Sequence, residues 1–187
     1  MELARIVHDI ADAVIAIDQS GVPFKHFKPG VGPYGEPQLA RAVAQYLDDL
    51  PRYRGLARTK RCPDLLIAGH WAIEFKLARP FGDNGKEAEN WSVNLLHPYE
   101  GSVSVIGDCL KLCAVDGPER KAVVVIGYEH TPPLIPLAPL FHALEVIARE
   151  VLRLQLSQRV QVLRCGLSHP VHQQCVVAAW EVQGRSV

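Results

Sequence analysis

Residues 71–78 alternate without a break: Trp71, Ile73, Phe75 and Leu77 fall on one face, and Ala72, Glu74, Lys76 and Ala78 on the other. This is the period of a half-buried β-strand. It demands a cover for the apolar face, and it sets an acid and a base side by side on what reads as the solvent face. Just before it, Asp64 to Ile67 reads as a short partner strand, joined through Ala68-Gly69-His70. A three-residue loop there pairs Ile67 with Trp71, Leu66 with Ala72 and Asp64 with Glu74. Asp64, Glu74 and Lys76 then share one face, and Leu65, Ile67, Ile73 and Phe75 the other. A two-residue loop at Gly69-His70 would send Asp64 and Glu74 to opposite faces. The apolar alternation favours the register that gathers the charges, although both loop lengths are common in hairpins.

Upstream, Leu3, Ile6, Val7, Ile10, Val14 and Ile17 recur at helical spacing, predicting a helix over about residues 2–18 that stops at Asp18-Gln19-Ser20-Gly21. Residues 22–35 are rich in Pro and Gly and carry Lys25, His26 and Lys28, either a small basic group or a solvated loop. A second helix starts at Gly35-Glu36-Pro37, with Pro in the first turn, where its missing N–H costs little. Its stripe is Leu39, Ala40, Val43, Leu47 and Leu50. Glu36 lies in phase with that stripe. It reads either as a helix-start acid favoured by the dipole or as an inward carboxylate that needs a partner.

Arg52, Arg54, Arg58, Lys60 and Arg61 then fall in ten residues without an acid. Within them, residues 55–60 are expected to form a short strand. The run suits a polyanion, since arginine forks match phosphate geometry. It equally suits a sheet edge protected by charge.

After Lys76 comes a loop-like stretch, then a helical turn over residues 90–96, and a helix over 102–115 with Val105, Ile106, Leu110 and Cys113 inward. Residues 121–128 make the most hydrophobic strand, expected at the centre of a sheet and covered on both faces. A long helix is expected over about residues 137–156, with Leu140, Leu144, Ile147, Val151 and Leu154 inward. Two alternating strands, about 160–165 and 174–182, are expected to pair antiparallel.

Twenty basic residues balance twenty acidic ones, so any attraction to nucleic acid must come from a local patch. The cysteines number five, without a Cys-x-x-Cys pair, which suits reduced thiols. No apolar run approaches the ~18 residues of a membrane span, and the first residues carry no basic-then-apolar leader. A soluble, cytoplasmic protein with no membrane partner is expected, folded as a single domain over residues 1–187 without internal repeats.

The order of elements, together with Pro63-Asp64, nine intervening residues, and Glu74-Phe75-Lys76, resembles the PD-(D/E)xK superfamily of restriction-endonuclease-like nucleases. The resemblance covers a core of about residues 36–128, with 1–35 and 129–187 as additions. It implies an α/β fold in which a central mixed sheet is flanked by helices in the order αβββαβ, with an extra N-terminal helix and a C-terminal helix plus two strands. It further implies a Mg²⁺-dependent endonuclease, restriction- or repair-like, that hydrolyses DNA phosphodiester bonds through a metal-activated water. Asp64, Glu74 and the backbone carbonyl of Phe75 would hold the metal, Mg²⁺ or Mn²⁺ in its place, and no small-molecule cofactor is expected. Lys76 would position the water or stabilise charge on the phosphoryl oxygens, and Glu36 matches an acid on the first core helix that contacts a metal or its water. The basic run at residues 52–61, with Lys25 and Lys28, would contact DNA, and cleavage of two strands suggests a homodimer. A non-cleaving nucleic-acid-binding or assembly module of the same fold, and a nuclease acting on RNA or nucleotides, are the alternatives.

Overall fold

In a computed structural model, which describes residues 1–27, 29–99, 101 and 103–185, the chain is a mixed α/β protein. The helices are α1 (Leu3–Gln19), α2 (Glu36–Asp49), α3 (Val93–Leu96), α4 (Val105–Cys113) and α5 (Ala138–Val146). The strands are β1 (Ala57–Thr59), β2 (Leu65–Ile67), β3 (Trp71–Ala78), β4 (Arg120–Glu129), β5 (Leu154–Leu156), β6 (Val160–Cys165) and β7 (Gln174–Arg185). Among the described residues they form a seven-stranded sheet in the order β1-β2-β3-β4-β7-β5, with β6 also on β7. The β1–β2–β3 meander is antiparallel, β3 and β4 are parallel, and β7 returns antiparallel to β4.

The hairpin register is the one that gathers the charges: Ile67 pairs with Trp71, Leu66 with Ala72 and Leu65 with Ile73. Period-2 alternation then divides the sheet into two faces. Trp71, Ile73 and Phe75 of β3, Val124 and Ile126 of β4, and Val177 and Ala179 of β7 pack with α1 and α2. Val123 and Val125, Val176, Ala178 and Trp180 pack with α4 and α5 on the opposite side. β3, β4 and β7 each feed both cores, which is why residues 122–126 of β4 are continuously apolar. Among the described residues no helix is long and apolar enough to cross a membrane.

Two expectations need correction. The charged face of β3 does not look into solvent: Glu74 is 3% and Lys76 9% exposed. A parallel β3–β4 pair requires a crossover, and that crossover lays α4 over this face. The long helix over 137–156 is also interrupted. It runs as α5 to Val146 and continues as one π-helical turn, Ile147–Val151. The wider turn rotates the apolar stripe, burying Ala148 and leaving Val151 65% exposed. Arg153 then turns with φ 56°, and Leu154–Leu156 become β5, paired to residues 182–185 of β7. An open strand edge there outweighs helical continuation, since backbone groups left unpaired at a buried edge are costly.

Candidate active site

β2 begins only at Leu65, opposite Ile73, so the expected strand pairing of Asp64 with Glu74 does not form, while β3 continues to Ala78. The β3 edge beyond Ile73 therefore has no strand partner, and its outward amides need acceptors. Carboxylates supply them. The Phe75 N–H donates to Asp64 Oδ2 at 2.9 Å, and the Leu77 N–H to Glu36 Oε2 at 3.3 Å. Glu36 reaches this edge from the first turn of α2, whose cap is Gly35 and whose first turn holds Pro37. An extended residue sends its N–H and C=O toward the same edge, so the Phe75 carbonyl leaves β3 on the side of Asp64.

The side chains that immediately precede these two amides, Glu74 and Lys76, point across the sheet to α4. Ser104 caps that helix, accepting from the Gly107 N–H at 3.0 Å and donating to the His97 carbonyl at 2.6 Å. From its inner face come Asp108 and Lys111. Lys76 Nζ lies 3.1 Å from Glu36 Oε1 and 3.0 Å from Asp108 Oδ2; Lys111 Nζ lies 3.1 Å from Asp108 Oδ1 and 3.0 Å from Glu74 Oε1. Cys62 donates its thiol to Glu74 Oε1 at 3.2 Å. The result is a chain of alternating charge running Glu36, Lys76, Asp108, Lys111, Glu74, with Asp64 beside Glu74 at its end. All six line one cavity of about 570 Å³, together with Gly101, Val103, Gly107, Leu110 and Ala114.

Four carboxylates face two ammonium groups here. Burial, then the hydrogen bond and repulsion from Asp64, push the Glu74 carboxyl up to about 7. Burial also raises Glu36, against the pull of Lys76. Burial alone would lower Lys76, but Glu36 and Asp108 outweigh it and hold the group above the ordinary lysine value. Lys76 in this environment is an ammonium, not a waiting base.

Glu74 is pushed toward the neutral range first by burial and then by Asp64 beside it, and a divalent cation would replace its proton while relieving the repulsion. Among the described residues no group of three or more His, Cys, Asp or Glu side chains is arranged to hold an ion. Mg²⁺, however, is commonly held by one or two carboxylates with waters and substrate oxygens completing the shell. Asp64 and Glu74, with the Phe75 carbonyl on the same edge, fit that donor set.

The structure thus brings together Glu36, Asp64, Glu74 and Lys76 and adds Asp108, Lys111 and Cys62, which the sequence reading did not single out. A signal for Asp108 existed: it lies three residues after Val105 and four before Leu112, in phase with the buried stripe of α4, as Glu36 is with that of α2. The basic residues are dispersed. Arg52 is bound to Asp9, in contact through two nitrogens, and rests 5.4 Å from the Tyr53 ring, so its charge is committed internally. Arg54, Arg58, Lys60 and Arg61 are exposed. Lys60 lines a small recess on the far side of Asp64, with Arg41 of α2 and Thr59 of β1. Lys25 is exposed, 5.3 Å from the Phe24 ring, and is not among the residues lining the cavity. Lys28 lies outside the described residues.

Fold and site together define a mixed α/β protein with a buried, acid-rich, lysine-containing cavity at the edge of its sheet. Comparison with protein-family models, with curated proteins and with solved structures returned no match.

Proposed function

We propose that this chain is a Mg²⁺-dependent endonuclease that hydrolyses DNA phosphodiester bonds, built on a restriction-endonuclease-like core of the PD-(D/E)xK type. The observation that carries the reading is the contact between two carboxylates, Asp64 and Glu74, inside a cavity that also holds a buried ammonium, Lys76. Such a cluster is costly to bury, and a fold has no need of surplus carboxylates there. The order of α2, β1, β2, β3, α4 and β4 also supports a core of this kind.

When bound, Mg²⁺ would supply Lewis acidity toward the scissile phosphate and lower the pKa of a water. The protein's own residues do the rest. Asp64 and Glu74 would hold the cation, with the Phe75 carbonyl beside them, and Glu74 would have to give up its proton. Lys76, held between Glu36 and Asp108, presents a fixed positive charge to the phosphoryl oxygens as negative charge grows on them. Its raised pKa makes it an electrostatic group and leaves proton abstraction to another acceptor. Glu36 orients Lys76 and protects the strand edge at Leu77. Arg58, Lys60 and Arg61, exposed near Asp64, supply phosphate contacts along the flanking strand. A homodimer with two such sites would cut both strands, which a sedimentation mass at micromolar concentration tests.

The decisive experiment is incubation of the protein with supercoiled plasmid in Mg²⁺ or Mn²⁺, with EDTA and a Glu74→Ala variant as controls. Nicking or linearisation lost in both controls is the expected result. Cleavage that persists in either one sinks the mechanism.

A further inference from the structure

Lys111 stands where a cation is wanted. Its ammonium lies 3.0 Å from Glu74 Oε1, the carboxylate that would bind the metal, and no other cationic side chain in the described residues is recorded within ion-pair distance of Glu74. Its companion contact is Asp108 Oδ1 at 3.1 Å, and the other oxygen of Asp108 holds Lys76. The two lysines differ in freedom. The Lys76 side chain is 11% exposed and wedged between two acids, whereas that of Lys111 is 45% exposed and reaches in from the last turn of α4. One lysine is built in; the other is a visitor with a route out.

We propose that Lys111 is a resident cation that neutralises the Asp64–Glu74 pair while the metal is away and is displaced from Glu74 when the metal enters. This rests on the metal-dependent reading above. An ammonium and a hard divalent ion compete for the same carboxylate oxygens, and the ion with two charges and several open coordination positions wins at sufficient concentration. Asp108 keeps the displaced ammonium at the cavity wall, so it is turned toward the space a substrate phosphate would fill. The arrangement explains two otherwise unaccounted features. It gives a reason for a long cationic chain to lie on a buried acid that the fold could have left to Cys62, and for the sharing of Asp108 between both lysines. In effect Lys111 holds the acid pair together with a charge that the working site does not require.

Two measurements test this on the intact chain. In the first, lysine acetylation is followed residue by residue by mass spectrometry with and without saturating Mg²⁺. Lys111 should label several-fold faster with Mg²⁺, and Lys76 should remain protected in both states. In the second, Mn²⁺ affinity is measured by calorimetry at pH 8 for wild type, Lys111→Met and Lys111→Arg. Removing the competing charge should tighten binding roughly tenfold, while Lys111→Arg stays near wild type. Lys111 is exposed enough that both variants should fold, which circular dichroism checks. Equal Mn²⁺ affinity in wild type and Lys111→Met, or a Lys111 labelling rate indifferent to bound Mg²⁺, overturns the displacement. Failure of both wild type and Lys111→Met to bind Mn²⁺ at all overturns the metal-site reading beneath it, so the two failures are distinct.

Discussion

Two of the buried charged clusters among the described residues are built on opposite principles. On the α1 face, Asp9 is 4% exposed and accepts from Arg52 and from the Tyr53 hydroxyl, the latter at 2.6 Å. One carboxylate meets one guanidinium and one hydroxyl, and the account balances. On the α4 face, Glu36, Asp64, Glu74 and Asp108 meet Lys76 and Lys111. There the carboxylates exceed the cations, and Glu74 answers by keeping a proton up to about pH 7. A balanced cluster fixes α1 to the segment after α2. A cluster left short of positive charge is poised to take one up, and that difference separates a structural ion pair from a candidate site.

The comparison breaks most visibly in activity. Lys76→Ala should reduce plasmid cleavage by three or more orders of magnitude while calorimetry still detects Mn²⁺ binding; loss of both together would mean Lys76 builds the site instead of acting within it. The balanced cluster should show the reverse pattern. Asp9→Ala strands the Tyr53 hydroxyl and leaves Arg52 without its partner, and should cost about 2–4 kcal/mol in urea unfolding. Its cleavage rate per folded molecule should stay at the wild-type level.

A pH experiment sharpens the contrast. The Glu74 carboxyl lies at about 7 when folded, against an ordinary value of 4.5. Between these values the folded chain binds more protons than the unfolded one, so stability falls as pH rises through that window. Glu74→Gln removes the titration. The variant should gain on wild type by roughly 1–3 kcal/mol between pH 5 and pH 8, read from urea midpoints. A constant difference across that range would mean Glu74 ionises normally. In the smallest effect, Arg58→Glu with Lys60→Glu should lower the salt slope of DNA binding by about 2, one for each lost phosphate contact. Arg52→Gln should leave that slope near wild type because its charge is already spent on Asp9.

The two clusters were not equally legible. Asp64, Glu74 and Lys76 could be placed on one face because strand alternation is a local, period-2 property, and a hairpin with a three-residue loop propagates it to the partner strand. Glu36 was legible for the same kind of reason, its phase with the α2 stripe. Arg52 was read with the other basic residues of its run, since nothing nearby in sequence shows that Asp9, 43 residues away, takes its charge. Asp108 and Lys111 needed the crossover between β3 and β4, which lays α4 over a face that alternation alone assigns to solvent.

The sequence by itself determined the hairpin register, the apolar central strand and the acid at the start of α2, all through spacings of a few residues. Only the tertiary structure decided that the charged face is buried, that α5 gives way to a π turn and a strand, and that the site holds six charged groups instead of four. Local periodicity says which residues share a face. What covers that face depends on contacts between residues far apart in the chain, whose energy no local pattern records.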